Sequence, residues 1–424
     1  MTPPDPAPTP PRTSRTIRRT PFYYGWVVLA TGTFGMFMTL PGQTAGISVF
    51  LDAIIADLAV SRTQVSLLYA IATLAGASSL TFVGRAIDRF GARIGIGVVG
   101  VTFALACMGM ALVVGPLTLL LGFTLIRLLG QGSLQLVSLH AVNQWFVRRR
   151  GLAVGTAGLG IALGTAAFPP LIELLLSWGT WRSAYLILGA LVLVTLVPVG
   201  VGLFRSNPET FGLRPDGDAG DPEAAEAVDE PALTARAAAR TMTFWLYVAG
   251  GFAMSALGTG LVFHHYAIMA GNGLARTEAA TMFVAFGVIM ASANLASGYL
   301  MDRVAPRFLL SADQLLLLAS LLGAAFVATP TQVLLYGAFL GSAQGMHAAL
   351  QAGVYAHYFG RRHYGAIKGV ATTVSIAGTA FGPWVFALGF DLAGGHAATL
   401  ILSAALPAAV ALAAPFLRPA RTMA

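Results

Sequence analysis

Twelve apolar stretches of about 20 residues or more run along this chain of 424 residues, and they constrain its fold more than any other feature. An α-helix needs about 20 apolar residues to cross roughly 30 Å of hydrocarbon. The stretches lack the alternating polarity of membrane β-strands, the other way to satisfy backbone polar groups in lipid. We therefore predict an all-α membrane protein with spans at 23–50, 65–84, 94–114, 117–146, 152–176, 182–204, 243–270, 278–300, 308–328, 331–358, 366–390 and 395–417.

The charged residues indicate how these spans are oriented. Only 10% of the residues are charged and 56% are hydrophobic, which leaves too little polar surface for a soluble protein. If the spans alternate from a cytoplasmic N-terminus, 21 of the 25 Lys and Arg residues fall on the cytoplasmic side, as the positive-inside rule requires. We predict a multi-pass protein of the cell (inner) membrane with both termini cytoplasmic. The net charge of +8 then reports orientation and not a nucleic-acid partner.

The chain divides into two similar halves. Residues 205–240 break the hydropathy with proline, glycine and eight acids between Glu209 and Glu230. Sliding the second half by 214 residues aligns Gly84 with Gly298 and Pro169 with Pro383, which indicates an internal repeat. We predict a disordered cytoplasmic tail at 1–21, six-helix bundles at 22–204 and 241–417 joined by a mostly mobile cytoplasmic linker at 205–240, and a cytoplasmic tail at 418–424.

A charged motif follows the second span of each half, as GRAIDRFGAR at 84–93 and GYLMDRVAPR at 298–307. Two six-helix halves that each carry a G-x-x-x-D-R loop resemble the major facilitator superfamily of secondary transporters, over about residues 22–417. WFVRRRGLAVG at 145–155, YFGRRHYGAIKG at 358–369 and RSNPETFGLRPDG at 205–217 are similar to its monocarboxylate-transporter-like and oxalate/formate-antiporter-like bacterial branches.

The resemblance implies that these loops are latches between helices at the cytoplasmic face, closed when a transporter is open outward. Asp88 would pair with Arg89 or Arg148, near a helix N-terminus that favours negative charge. The alternative is a solvated loop whose arginines only fix the topology. The complete predicted gate is Asp88, Arg89, Arg93, Arg148, Asp302, Arg303, Arg307 and Arg362.

The resemblance also implies that spans 1, 4, 7 and 10 line a central cavity. Polar residues recur on one face of span 4 and on one face of span 10, and LPGQTAG at 40–46 predicts a distorted helix in span 1. Polar side chains are costly in lipid unless they face water or a partner, so helix–helix hydrogen bonding is the alternative role. The predicted cavity residues are Gln43, Thr44, Arg127, Gln131, Gln135, His264, Asn294, Gln344, His347 and Gln351.

Several titratable residues in the spans have two open interpretations. Arg127, the only basic residue deep in a span, could serve anion or proton coupling or could form a structural ion pair. Imidazole titrates near about pH 6.5, so the span histidines are candidate proton carriers or hydrogen-bonded wall residues. They are His140, His264, His265 and His347. Glu173 could pair with Arg182 as an interfacial anchor or could take part in coupling.

The chain departs from both branches at the positions of their carboxylate-binding cations. Monocarboxylate transporters carry an aspartate and an arginine in span 8, where this chain has Met290 and Asn294. The oxalate/formate branch carries a lysine in the middle of span 11, whereas Lys368 lies at the start of that span. A carboxylate would have to rely on Arg127, histidines or neutral donors, or the substrate is not an anion.

We predict a secondary active transporter of a small organic solute, a monocarboxylate-like organic anion coupled to protons by symport, working by alternating access. A proton-antiporting drug or metabolite exporter of the same superfamily is the alternative, and a non-transporting membrane sensor is a further one. Metalloprotease, nucleophile-elbow and Walker-type motifs are absent, so we expect no enzymatic activity and no cofactor or metal. The expected partners are the solute, protons and the lipid bilayer, with a monomeric protein.

Overall fold

The computed structural model describes residues 14–205, 207–217, 233–301, 303–360 and 363–417. Within these ranges the chain forms twelve long helices and no β-strand, which confirms the predicted all-α fold. The helices are α1 Gly25–Leu58, α2 Arg62–Phe90, α3 Ala92–Leu112, α4 Pro116–Trp145, α5 Arg150–Trp178, α6 Trp181–Leu203, α7 Met242–Gly271, α8 Arg276–Met301, α9 Pro306–Phe326, α10 Pro330–Phe359, α11 Tyr364–Ala393 and α12 His396–Phe416.

Eleven of these helices are long and apolar enough to cross a membrane. The other, α10, has 30 residues and is also long enough, but polar side chains such as Gln344, His347 and Gln351 lower its hydropathy. Each helix corresponds to one predicted span. The largest differences are at α1, which continues to Leu58, and at α2, which continues to Phe90.

The charged motif after the second span is helical, so its prediction as a loop was wrong. Asp88 and its flanking arginines lie in the last two turns of α2, and the chain turns into α3 at Gly91. Gly91 has φ 81°, a left-handed conformation that glycine adopts without strain. Hydropathy could not place this end because a helix continues past the hydrocarbon wherever its residues favour helix in water, and arginine does.

The twelve helices form two bundles of six, α1–α6 and α7–α12. In the first, α1 packs on α4 and α5; in the second, α8 and α9 pack on α10. The bundles contact each other mainly through α5 with α8 and α2 with α11. Glycines allow the closest approaches, since a Cβ at Gly160 would lie 2.1 Å from Thr33 O and one at Gly287 would lie 2.4 Å from Ala162 O.

Four membrane helices contain a 3₁₀ or π-helical segment near their centres, and in α6 it lies at Val192–Leu196. In α1, a 3₁₀ turn at Leu40–Gly42 is followed by an extended Gln43, which confirms the distortion predicted for LPGQTAG. Helix α4 has a π-helical segment at Arg127–Leu134, and α7 has one at Met254–Gly258. Such segments are rare and occur often at functional sites because they turn side chains away from the regular helical positions.

Both ends of the described chain lie on one face of the bundle, because twelve helices alternate in direction. We call this the tail face and the opposite one the far face. The first part of the segment between the halves is ordered on the tail face. Asp216 accepts hydrogen bonds from the backbone N–H groups of Val147 (3.0 Å), Arg148 (2.8 Å) and Arg149 (3.1 Å), in the turn between α4 and α5.

Asp216 is buried, and burial alone would raise its pKa. The three backbone donors and the Arg148 guanidinium outweigh burial, so that the pKa of Asp216 lies below its ordinary value. Residues 218–232, the part of the linker predicted to be most mobile, lie outside the described residues.

Part of the N-terminal tail is helical as well. Residues Arg15–Arg19 form a short helix within the segment predicted to be disordered. Arg205, next to α6, donates from Nη2 to Thr16 Oγ1 at 3.0 Å, which ties this helix to the first bundle. Residues 1–13 and 418–424, the remainder of the two predicted tails, lie outside the described residues.

Candidate functional site

The two halves are joined at the far face by Arg276, the first residue of α8. Its Nη2 lies 2.6 Å from Glu173 Oε1 of α5, and its Nη1 lies 2.9 Å from Asp52 Oδ2 of α1. Asp52 also pairs with Arg62 of α2 at 2.6 Å. One guanidinium of the second half is therefore held by two carboxylates of the first half.

The predicted pairing of Glu173 with Arg182 is wrong. Arg182 instead pairs with Asp57 at 2.6 Å, within the first half, because the long α1 brings Asp57 to the start of α6. A second link between the halves at the far face is the hydrogen bond from Thr63 of α2 to Asp391 of α11. The far face is thus closed by polar contacts between the halves.

The tail face is different. The Asp88 side chain is 70% exposed, and its charged contact is His140 Nδ1 at 3.7 Å. Within the described residues, Asp88 makes no ion pair with Arg89 or Arg148, so the predicted latch is not formed in this conformation. Arg89 instead lies over the Phe90 ring.

The other predicted gate arginines contact their own half. Arg93 Nε donates to Val201 O at 2.8 Å, and Arg307 Nη1 donates to Leu417 O at 3.1 Å. Arg303 lies 3.5 Å from the centre of the Tyr299 ring. Asp302 and Arg362 lie outside the described residues.

A central cavity of about 240 Å³ lies between the halves. Five of the ten predicted cavity residues line it, from α1, α4 and α10, and the remaining polar lining comes from serine and threonine. His347 is the only titratable side chain in this lining. The five residues are Gln43, Thr44, Gln131, Gln344 and His347.

Arg127 lines a neighbouring fissure of about 370 Å³ between α2, α4 and α11. Gln135 lines this fissure too, and Gln131 and Thr379 line both spaces, so that the fissure and the central cavity are contiguous. Side chains of one π-helical segment, Arg127–Leu134, therefore reach both spaces, with Arg127 in the fissure and Gln131 in both.

Arg127 is 3% exposed and forms no ion pair in the part of the chain that the structure describes. Its Nε donates to Thr73 Oγ1 at 3.1 Å, its Nη1 donates to Gly42 O at 3.4 Å, and its guanidinium lies 4.6 Å from the centre of the Tyr69 ring. Its Nη2 is buried with no hydrogen-bond partner. These neutral contacts position the guanidinium and leave its charge without a counter-ion.

The remaining predicted cavity residues lie elsewhere. His264 is fully buried, with Nε2 2.7 Å from Pro383 O, and Asn294 donates to Gly345 O at 3.3 Å between α8 and α10. Gln351 lies against Gly251 of α7, outside the residues that line the central cavity. His265 is also a wall residue, with Nε2 2.9 Å from Ala279 O.

Asp313 of α9 is a candidate site residue that the sequence reasoning missed. It is fully buried, and its Oδ2 lies 3.2 Å from Nδ1 of the cavity residue His347. A signal was present, because a carboxylate within an apolar span is rare and functional by default. Elsewhere in the described residues, no group of three or more His, Cys, Asp or Glu side chains could hold a metal ion.

Comparison with known proteins identifies the family. The model of the Major Facilitator Superfamily matches residues 27–271 and 248–423. Monocarboxylate transporter 11 of Mus musculus is 31% identical over 293 residues, which cover 66% of this chain and 60% of that protein. The probable nitrate/nitrite transporter NarK2 of Mycobacterium tuberculosis is 30% identical over 288 residues, 64% of each chain.

The matched regions cover less than two thirds of these relatives' lengths. The hexuronate transporter of Bacillus subtilis is 27% identical over 171 residues, 38% of this chain and 40% of that protein. Among solved structures, a bacterial homologue of the human lysosomal transporter Spinster, inward-facing and unoccupied, has a TM-score of 0.66 at 18% identity. It covers 93% of this chain and 95% of its own, which shows a shared fold.

Proposed function

Because this chain belongs to the Major Facilitator Superfamily, we propose that it is a secondary transporter of a small organic anion, of the monocarboxylate type, coupled to protons by symport. The observation that carries the proposal is Arg127, a buried guanidinium beside the central cavity that has no counter-ion among the described residues.

A buried charge is unfavourable unless an opposite charge and hydrogen bonds compensate it. At Arg127 the hydrogen bonds are neutral, and the Tyr69 ring compensates only part of the charge. The missing component is an anion. A carboxylate suits a guanidinium well because its two oxygens can accept two parallel N–H bonds, and Arg127 Nη2 is free to donate one of them.

The relatives and the cavity size support a small anion as the solute. Three relatives are named as transporters of monocarboxylates, of nitrate and nitrite, and of hexuronate, all of them anions at neutral pH. Drug-sized ligands occupy pockets of about 300–1,000 Å³. The central cavity of about 240 Å³ together with the contiguous fissure of about 370 Å³ lies within that range, which is enough space for a small organic anion.

The unequal faces support alternating access. The Arg276 pairs and the Thr63–Asp391 hydrogen bond close the far face, while Asp88 has no arginine partner among the described residues of the tail face. In the opposite state we expect the Arg276 pairs to break and Asp88 to pair with Arg89 or Arg148. The positive-inside rule makes the tail face cytoplasmic, so this conformation is inward-facing in the inner membrane. Since both halves of one chain build the cavity, the proposed working unit is a monomer.

Counterflow into proteoliposomes tests the proposed solute class. Purified protein would be loaded with an unlabelled compound and exposed to the same compound with a label. The panel would contain lactate, acetate and glucuronate, the matched neutral amides lactamide and acetamide, and a hydrophobic cation. We expect counterflow of at least one acid and none of its amide. Counterflow of the cation or of neutral compounds alone would contradict the proposal.

A further inference from the structure

We propose that Asp313 and His347 form the protonation site that couples solute movement to the proton gradient, an inference that rests on the proposed function. The two residues belong to neighbouring helices, α9 and α10, and their side chains meet at 3.2 Å between Oδ2 and Nδ1. His347 lines the central cavity and Asp313 is fully buried behind it. The pair therefore connects the solute space to a carboxylate that water cannot reach directly.

The surroundings of Asp313 do not neutralise a negative charge. Gln314 Nε2 donates to Asp313 Oδ2 at 3.0 Å and to Gly250 O at 3.3 Å. In the part of the chain that the structure describes, Asp313 Oδ1 has no hydrogen-bond partner, and no lysine or arginine pairs with either oxygen. A buried carboxylate in this setting is stabilised by its own protonation or by pairing with a protonated imidazole. In both cases the pair holds one proton.

Among the described residues of the surrounding helices, no other titratable or charged side chain forms an ion pair or hydrogen bond with Asp313 or His347. On α7, α8, α10 and α12 these side chains are Tyr247, His264, His265, Tyr266, Arg276, Glu278, Tyr299, Tyr336, Tyr355, His357, Tyr358 and His396, and Arg307 lies at the start of α9. Arg307 donates to Leu417 O instead, and His396 packs on Phe390. On the cavity side, Arg127 lies one helical turn from the lining residue Gln131 and lines the neighbouring fissure. The proton affinity of the pair therefore depends on the two residues themselves and on the solute.

The proton balance of a transport cycle follows from this geometry. A proton from cavity water binds the imidazole at Nε2, the imidazole passes its Nδ1 proton to Asp313 Oδ2, and the pair changes from a net charge of −1 to zero. An anionic solute beside His347 favours the neutral pair and opposes the negative one. Solute and proton thus bind more tightly together than either does alone. On the other side of the membrane, the solute and the proton leave the site for water, and the pair returns to a net charge of −1.

Asp313→Asn tests this inference because asparagine has the shape of a protonated aspartate and cannot titrate. With a gradient of one pH unit, one proton per solute supports about tenfold accumulation. In proteoliposomes, using the acid that gave counterflow, we expect wild type to accumulate it and Asp313→Asn to reach only the level found without a gradient. Exchange without a gradient should persist. Asp57→Asn, the same change in an exposed far-face pair, should accumulate the acid as wild type does.

A second measurement needs no solute. Infrared difference spectra of purified protein between pH 8 and pH 5 should contain a protonated-carboxyl band. We expect this band to be missing in Asp313→Asn, shifted in His347→Gln and unchanged in Asp57→Asn. A band unchanged in Asp313→Asn, or full pH-driven accumulation by that variant, would overturn the inference. Absence of counterflow for every acid would instead refute the proposed function, while the infrared result would still decide whether the pair titrates.

Discussion

Arg276 and Glu173 join the two halves of the protein, with 2.6 Å between Nη2 and Oε1 across the α5–α8 contact. Because Asp52 holds the same guanidinium at 2.9 Å, the loss of Arg276 would leave two carboxylates of the first half without their partner from the second half. The far face is therefore held closed by a small number of replaceable contacts.

We expect Arg276→Gln to shift the protein toward a state that is open at the far face. Ion pairs of this exposure are worth about 1 kcal/mol, so the shift should be several-fold. Electron–electron distance measurements between spin labels at Ser177 and Ala328, with Cys107 replaced, would detect longer separations. Arg182→Gln is the matched control because its pair with Asp57 lies within one half. Equal distance distributions for both variants would contradict a gating role for Arg276.

Asp216→Asn should lower stability by about 1–3 kcal/mol, because a charged acceptor of three backbone N–H donors is replaced by a neutral one. The pKa of Asp216 is lowered in the folded protein. Its contribution is therefore present above the unfolded-state pKa and is lost as the pH falls through the folded-state pKa. Thermal unfolding in detergent should separate wild type from the variant at pH 7 and bring them together in strong acid. The exposed Glu209→Gln should unfold like wild type at both pH values.

Orientation can be tested with a single cysteine in the same segment. Gly217 lies in this segment but is unsuitable for the cysteine, because its φ is 72° and a Cβ there would lie 2.8 Å from the Tyr23 ring. Glu209 is exposed on the tail face and Ala328 on the far face. With Cys107 replaced, an impermeant maleimide added to intact cells should label Ala328→Cys and not Glu209→Cys. The reverse pattern would show that the tail face is extracellular.

Asp88→Asn should slow transport far more than Asp57→Asn at equal membrane expression. The Asp88 carboxylate is exposed here, beside His140, and we expect it to pair with an arginine only when the tail face closes. The variant should therefore slow interconversion and leave solute affinity nearly unchanged, which initial-rate and binding measurements would separate. If both variants transported alike, Asp88 would serve only to fix the topology.

Hydropathy was enough to predict the number and order of the helices, since one apolar run corresponds to each of the twelve. It could not predict pairings between halves. Glu173 was assigned to Arg182 because they are close in sequence, whereas its partner Arg276 is 103 residues away and is brought near only by packing of α8 on α5. The charged end of α2 was misread as a loop because apolar content does not report where a helix ends in water.

The polar residues on one face of span 4 and on one face of span 10 predicted part of the cavity lining. Gln131, Gln344 and His347 line it as expected from regular helical periodicity. His264 does not, because its ring is turned to Pro383 O, a contact that depends on the bundle and not on the sequence of α7. Asp313 was passed over because α9 was not expected to line the cavity, and it reaches the site only through the side chain of His347.

The central claim is that Arg127 binds an anionic solute, and thermal unfolding with and without the transported acid tests it most directly. A ligand at 100 times its dissociation constant stabilises a protein by about 2.7 kcal/mol. We predict that the acid raises the unfolding temperature of wild type and of Arg182→Gln, and leaves Arg127→Gln unchanged. Without acid, Arg127→Gln should be no less stable than wild type, since no internal carboxylate among the described residues would lose its partner. An Arg127→Gln protein that the acid stabilises as much as wild type would contradict the claim.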